Sequence, residues 1–460
     1  MDSLVKNYIC LFNTLIVKYT LYILLAIFLS GFYYLFVSSP VISGYTAKCV
    51  CTQYFENGRP LDDIASDDFD LLLLSIARLS IDDKEKSITS SVLGMRSRTA
   101  IYKQGLGCQL LQGKDDHHIK LFDTIDIVLN DTIDFPYGNR IPSTIPSNVD
   151  SVKLAAVAMK AFDKGKEMIK LKTRSLLIVY KDTIILNVNQ DGFTYDTPQL
   201  GWSMTKSWMN TLVGMKVLDG QMDITNDQLF DHWTDDRSKI TLHHLLTMTS
   251  GIDWQEDYSN ISDATEMLYM SEDIVSAAND NPIKYPPGSH WYYSSGTSNM
   301  ISGLLRAEFD TIEDYLDYPY TAMFNKLGMS QSFMEIDESG NYIGSSYGYG
   351  STKDWARFGL LYLHDGIWNG ERILPHGWVD YSTTEVPSSD GKYGAHFWLN
   401  KRGVAFSDAP FDTYSANGYN GQKTIIIPSK DLVIVRLGLN SDFDFNGLIQ
   451  SVINAIDFDE

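Results

Sequence analysis

From Tyr19 to Val37 the chain runs through nineteen uncharged, mostly apolar residues. At about 1.5 Å of rise per residue such a helix is long enough to cross a bilayer, so the pattern predicts one membrane span over 19–37. Further along, the apolar positions fall at shorter periods. Between Ser203 and Asp219 the residues Trp208, Met209, Leu212, Val213, Met215, Val217 and Leu218 recur at roughly helical spacing, and Gly220 ends the run. Asp150 can cap an earlier helix whose apolar face (Val152, Leu154, Ala155, Val157, Ala158, Ala161, Phe162) fits against a sheet. Two strand pairs frame the long middle. Ser175–Tyr180 and Thr183–Val188 flank the two-residue connection Lys181-Asp182, and Lys423–Ile427 and Leu432–Leu437 flank Pro428-Ser429-Lys430. A last helix is predicted from about Asn446 to Ile456. Strands at both ends of a unit with helices between them predict an α+β architecture, in which one antiparallel sheet is built from both termini and a helical lobe is inserted.

Residues 39–149 show no catalytic pattern, only an acidic stretch from Leu61 to Asp70 and an apolar run from Leu71 to Ile76. The cluster Asp115-Asp116-His117-His118 reads as a solvated turn, because adjacent histidines diverge and no further ligand follows at metal-binding spacing. Pro136, Pro142 and Pro146 mark a linker. The predicted division is 1–38 for a cytoplasmic tip and anchor, 39–149 for an accessory region and 150–460 for a catalytic domain.

A formal charge of −21 excludes nucleic acid as a partner, since phosphates require basic patches. Lys6 and Lys18 precede the apolar run and the next cation is Lys48, which predicts a cytoplasmic N-terminus and export of everything beyond Val37. A cleaved signal peptide is the rival reading. Against it, the run exceeds the about 7 to 15 apolar residues of such a peptide, and no small-residue cleavage site follows. Export would put Cys49, Cys51 and Cys108 in an oxidising compartment. Cysteines one residue apart are poorly placed to bond each other, so Cys51 or Cys49 is expected to pair with Cys108, the alternative being three packed thiols.

Candidate chemistry begins at Ser203 and Lys206. Three apart on a helix they share a face, so the amine can lie beside the hydroxyl and take its proton. Ser3 with Lys6 and Ser389 with Lys392 have the same spacing, but the former precedes the span and the latter contains an Asp-Gly turn. The stretch Pro286-Pro287-Gly288 leads to Tyr293, whose phenol beside a lysine ammonium is expected to have a lowered pKa and to carry a proton. The triplet Tyr258-Ser259-Asn260 competes with it, lacks the Pro-Pro-Gly lead and is set aside.

Ser203-Met204-Thr205-Lys206, His244-Leu245-Leu246-Thr247-Met248-Thr249-Ser250-Gly251 and Pro287-Gly288 leading to Tyr293-Ser294-Ser295 together resemble the serine β-lactamase and penicillin-binding-protein-like hydrolases of the class C type. Asp354–Leu361, Trp368–Pro375 and the closing hairpin at Pro428 are similar as well, over about Asp150 to Glu460. The resemblance implies a β-lactamase/transpeptidase-like fold, an acyl-enzyme at Ser203, Lys206 and Tyr293 as proton-transfer groups, and no cofactor or metal. It also implies a third motif at Ala416-Asn417-Gly418, with backbone amides of Ser203 and Tyr419 forming an oxyanion hole. Two departures stand out. Ser295 replaces an asparagine that helps to hold the substrate amide, and Ala416 replaces a cation that meets a substrate carboxylate. The expectation is therefore an esterase or amidase of small-molecule or peptide-like acyl substrates with weak β-lactam turnover. The alternatives are an impaired binding or regulatory protein on the same fold, or a D-Ala-D-Ala cell-wall peptidase.

Overall fold

The computed structural model describes residues 2–68, 76–112, 129–163 and 171–458. The Asp115–His118 cluster and the Leu71–Ser75 part of the apolar run lie outside the described residues. The N-terminal helix is much longer than the predicted span, running unbroken from Asp2 to Phe55. Ser38, Ser39 and Pro40 look like a stop signal, because proline cannot donate to the carbonyl four residues back. The orphaned carbonyl is that of Phe36, and the Ser39 hydroxyl donates to it at 2.8 Å while Ser38 donates to Tyr34 O at 2.8 Å. The helix continues through the proline, and beyond Ser38 it is buried in the protein rather than exposed.

That buried half is fixed from several sides. Lys48 and Glu335, both fully buried, pair at 2.7 Å. Lys48 also donates to Cys108 O at 2.5 Å, Thr52 donates to Glu335 at 2.5 Å, and Cys51 is disulfide-bonded to Cys108, leaving Cys49 as a buried thiol. Cys108 lies on the last strand of an antiparallel sheet, Ala77–Asp82, Ser87–Val92, Met95–Lys103 and Gly107–Leu111, ordered as in sequence. The short, mixed patterning of these strands hid them from the sequence reading.

The central sheet has the order Trp398–Leu399, Tyr414–Gly418, Gln422–Ile427, Leu432–Gly438, Thr173–Tyr180, Thr183–Asn189, antiparallel throughout. Both predicted hairpins are there, joined edge to edge by Leu432–Gly438 against Thr173–Tyr180. Lys181 and Asp182 both take positive φ, as a two-residue hairpin turn requires. Alternate residues serve opposite faces. Leu176, Ile178, Ile425 and Ile434 meet the helices Ser151–Ala161 and Phe445–Ile453, while Leu177, Val179, Ile426 and Val433 meet the side that holds Thr205–Leu218 and Thr352–Leu363. Burial on both faces explains the unbroken apolar run Leu176–Val179. The capping at Asp150 is realised, its carboxylate accepting from Val152 N and Lys153 N. The inserted lobe carries Leu242–Leu246, Asp263–Met270, Ile274–Asn279 and Ser295–Ala307.

Candidate active site

Ser203 sits in a 3-10 turn, Trp202–Met204, that leads directly into the helix Thr205–Leu218. The turn follows Gly201, whose N–H donates to Gly348 O at 2.8 Å. A Cβ on Gly201 would come within 2.4 Å of the Trp355 ring, so only glycine fits. Trp202 has φ of 49°, a left-handed conformation that costs an aromatic residue energy and persists only where packing fixes it. Its ring is stacked on Tyr45 of the N-terminal helix at 6.1 Å and 7°, and meets Tyr347 at 5.5 Å and Tyr419 at 5.7 Å.

Lys206, one helical step beyond, is buried. Its amine makes three contacts: Ser203 Oγ at 3.1 Å, Ser295 Oγ at 3.0 Å and the Ser345 carbonyl at 2.8 Å. Burial lowers its pKa to about 8, opposed by the negative charge of Glu256. The partners decide where a neutral amine would point. Ser345 O can only accept, and Ser295 donates its single proton to Glu256 Oε1 at 2.5 Å. The lone pair of neutral Lys206 therefore faces Ser203.

Tyr293 joins the same cluster, its phenol close enough to Ser203 for the serine to act on its titration. The expected lowering of its pKa is corrected: burial beside Tyr393 and Trp398, and then the charge of Glu256, push it up. Lys206 lies over the ring face, 4.8 Å from the centroid, a cation–π contact rather than an ammonium at the phenol oxygen. Tyr293 thus stays protonated.

Tyr258, set aside on sequence, is also at the site. Its hydroxyl lies 2.9 Å from Ser295 Oγ and donates to Glu256 Oε1 at 2.8 Å. Glu256 went unnoticed in the sequence. Besides Tyr258 and the Ser295 hydroxyl it accepts from Ser295 N at 2.8 Å and Trp254 Nε1 at 2.5 Å. The only local signal was Trp254-Gln255-Glu256-Asp257-Tyr258, an aromatic–acid–aromatic stretch after Gly251. His396 supports the nucleophile's helix from behind, meeting Lys206 O through Nδ1 at 2.8 Å and Ser298 Oγ through Nε2 at 3.1 Å. Burial and the nearby Lys206 hold its pKa down at about 3, so it is neutral, with the proton on Nδ1 facing the carbonyl.

Ala416, Asn417 and Gly418 end the strand Tyr414–Gly418. A Cβ on Gly418 would fall 2.0 Å from Gly201 O, so this strand passes directly beside the turn of Ser203. Tyr419 is exposed and lies edge-on to Trp202. Ala416 packs into the core on the catalytic side, whereas Asn417 pairs in register with Lys423, whose amine lies 4.9 Å from the Phe445 ring on the opposite face of the sheet. Lys423 therefore does not supply the cation that Ala416 lacks. Of the other Ser-x-x-Lys positions, Ser389 is buried at a turn with Asp390 at φ of 55° and bonds to Tyr393.

A family model described as beta-lactamase matches residues 172–441. The 6-aminohexanoate-dimer hydrolase of Paenarthrobacter ureafaciens is 23% identical over 358 residues, which cover 70% of this chain and 87% of the relative. Among solved structures, a penicillin-binding protein homolog from Caulobacter crescentus superposes with a TM-score of 0.54 at 14% identity, covering 69% of this chain and 100% of that one. A family VIII carboxylesterase gives 0.53 at 16% identity, covering 69% and 100%. At such identities the structural matches speak to the fold.

Proposed function

This chain belongs to the beta-lactamase family, and from that premise we propose that it is a serine hydrolase which opens an ester or amide bond through an acyl-enzyme at Ser203. The observation that carries the reading is the 3.1 Å contact between Lys206 Nζ and Ser203 Oγ, within a partner set that aims the neutral amine's lone pair at the serine. Lys206, with a pKa near the working range, takes the proton as Ser203 attacks the carbonyl. Tyr293, held protonated beside Ser203, is the acid that delivers a proton to the departing alcohol or amine. The backbone N–H groups of Ser203 and Tyr419 receive the oxyanion, a reading supported by the close approach of Gly418 to Gly201. Water then releases the acyl group.

The substrate class follows from what surrounds Ala416. With alanine at that position and Lys423 turned to the far face of the sheet, a substrate carboxylate would lose water and gain no fixed charge from this strand pair, so neutral acyl groups are preferred. The 6-aminohexanoate-dimer hydrolase name of one relative favours amides within that class, and the carboxylesterase fold match favours esters. The helix with exposed apolar side chains from Leu15 to Phe36 is long and apolar enough to cross a membrane. With Lys6 and Lys18 on the inner side, it anchors the catalytic domain outside the cytoplasm.

The test is covalent. A fluorophosphonate should label the wild-type protein at Ser203 and leave Ser203→Ala unlabelled, while Ser389→Ala labels like wild type. Labelling of Ser203→Ala at the wild-type level would end the assignment, and failure of the wild type to label would favour a non-catalytic protein on the same fold.

A further inference from the structure

The apolar span and the catalytic turn are joined by one helix, and the distance between them is short. Exposed apolar side chains end at Phe36, and from Ser38 the helix is buried. Tyr45 comes nine residues after Phe36, about 14 Å further along the axis. Its ring stacks on Trp202, and Ser203 is the next residue. At the other end of that interval, the guanidinium of Arg96 lies over the ring of Phe36 at 4.9 Å. Arg96 follows the tip of the hairpin Ser87–Val92 and Met95–Lys103, where Leu93 is 57% exposed. An exposed apolar side chain and a cation thus stand at the level where the apolar band stops, the pairing that suits lipid headgroups.

We infer that the substrate is a membrane-resident amphiphile, a long-chain ester or amide whose carbonyl is met at Ser203 just above the headgroup layer, with the Leu93–Arg96 hairpin resting on that layer. The inference rests on the serine-hydrolase and membrane-anchor readings above. The headgroup region accounts for roughly 5 to 7 Å of the 14 Å interval. The remaining length corresponds to about six methylenes withdrawn from the hydrocarbon, each weakening the lipid's hold by about fourfold, so that a long chain keeps the rest of its methylenes buried. A lipid can therefore present its carbonyl without leaving the bilayer. The rim of the cleft suits such a chain. Tyr258 and Tyr419, 39% and 47% exposed with ring centroids 6.4 Å apart, offer apolar bodies with polar tips side by side, one against Ser295 and the other against Trp202.

The experiment uses the full chain reconstituted into phosphatidylcholine vesicles containing about a fifth phosphatidylglycerol. Initial rates are compared for p-nitrophenyl palmitate dissolved in the bilayer and p-nitrophenyl butyrate in the water. The expected result is a palmitate to butyrate rate ratio above about 10 at equal bulk concentration, because the bilayer concentrates the ester beside the site. Leu93→Asp combined with Arg96→Glu should cut that ratio about fivefold or more, whereas Arg96→Lys, which keeps the charge, should preserve it. A ratio below one in the wild type overturns the substrate class while leaving the hydrolase intact. A ratio unmoved by the double variant overturns the seating of the hairpin on the membrane and with it this geometry. If neither ester is cleaved and no fluorophosphonate labels Ser203, the hydrolase reading fails and this one falls with it.

Discussion

Lys206 has three partners and, when charged, three protons to give them, so one proton must leave before it can act as a base. Because burial lowers its pKa to about 8, the neutral form is lost as pH falls through that value. The logarithm of kcat/KM for a neutral ester should therefore fall with unit slope below about pH 8 and level off above it. A profile flat between pH 6 and 9 would remove Lys206 as the base. Tyr293→Phe, which deletes the proton donor beside Ser203, should cost at least ~10²-fold in kcat, while Tyr258→Phe should cost much less, since Tyr258 reaches Ser203 only through Ser295 and Lys206. Steady-state rates on one chromogenic ester measure both. Ser203, Lys206 and Tyr293 were legible in the sequence because two of them share a helical repeat and the third follows a rigid Pro-Pro-Gly turn. Glu256 and Tyr258 were not. Their part depends on a loop folding back onto Ser295, 39 and 37 residues away, and no local pattern encodes that return.

Among the elements, the segment 38–55 behaves as a core helix. It buries Lys48 against Glu335 and bonds Cys51 to Cys108. Glu335→Ala should destabilise the fold by about 3 to 5 kcal/mol, since it leaves the buried Lys48 ammonium with neutral partners such as Cys108 O and no counter-charge, whereas Lys48→Met with Glu335→Leu should recover most of the loss. Chemical unfolding in detergent separates the two, and equal losses in the single and double variants would show that the pair itself contributes net stability. Four of the six strands of the central sheet were readable from their apolar runs and connecting turns, whereas Trp398–Leu399 and Tyr414–Gly418 carry no such run. The extent of the N-terminal helix was not readable either. The apolar pattern ends at Val37, and the hydroxyl of Ser39 that takes up the Phe36 carbonyl freed by Pro40 becomes meaningful only once the helix is present. The strands between Ala77 and Leu111 escaped for a related reason: their exposed edges and polar alternation gave little contrast, and burial against the long helix is what selects them.

Taken whole, the molecule sets a sheet and a helical lobe around the Ser203 cluster, with Ala416 on the strand that passes beside it. Short neutral esters should be cleaved with higher kcat/KM than a chromogenic cephalosporin, and Ala416→Lys should move the ratio toward the cephalosporin, because the cation at Lys423 lies on the far face of the sheet. Faster turnover of the cephalosporin by the native protein would mean that a carboxylate anchor exists elsewhere. The long helix adds a consequence of a different kind, in its response to proteolysis. A protease cutting between Val37 and Ser38 would separate the apolar band from a remainder that still holds Tyr45 on Trp202, Lys48 on Glu335 and Cys51 on Cys108. A cut a few turns later, past Cys51, would leave the severed helix tied to the body through Cys51–Cys108, so that Tyr45 stays on Trp202 until the disulfide is reduced. Shedding by a single cut therefore requires cleavage before Cys51, and beyond it cleavage together with reduction.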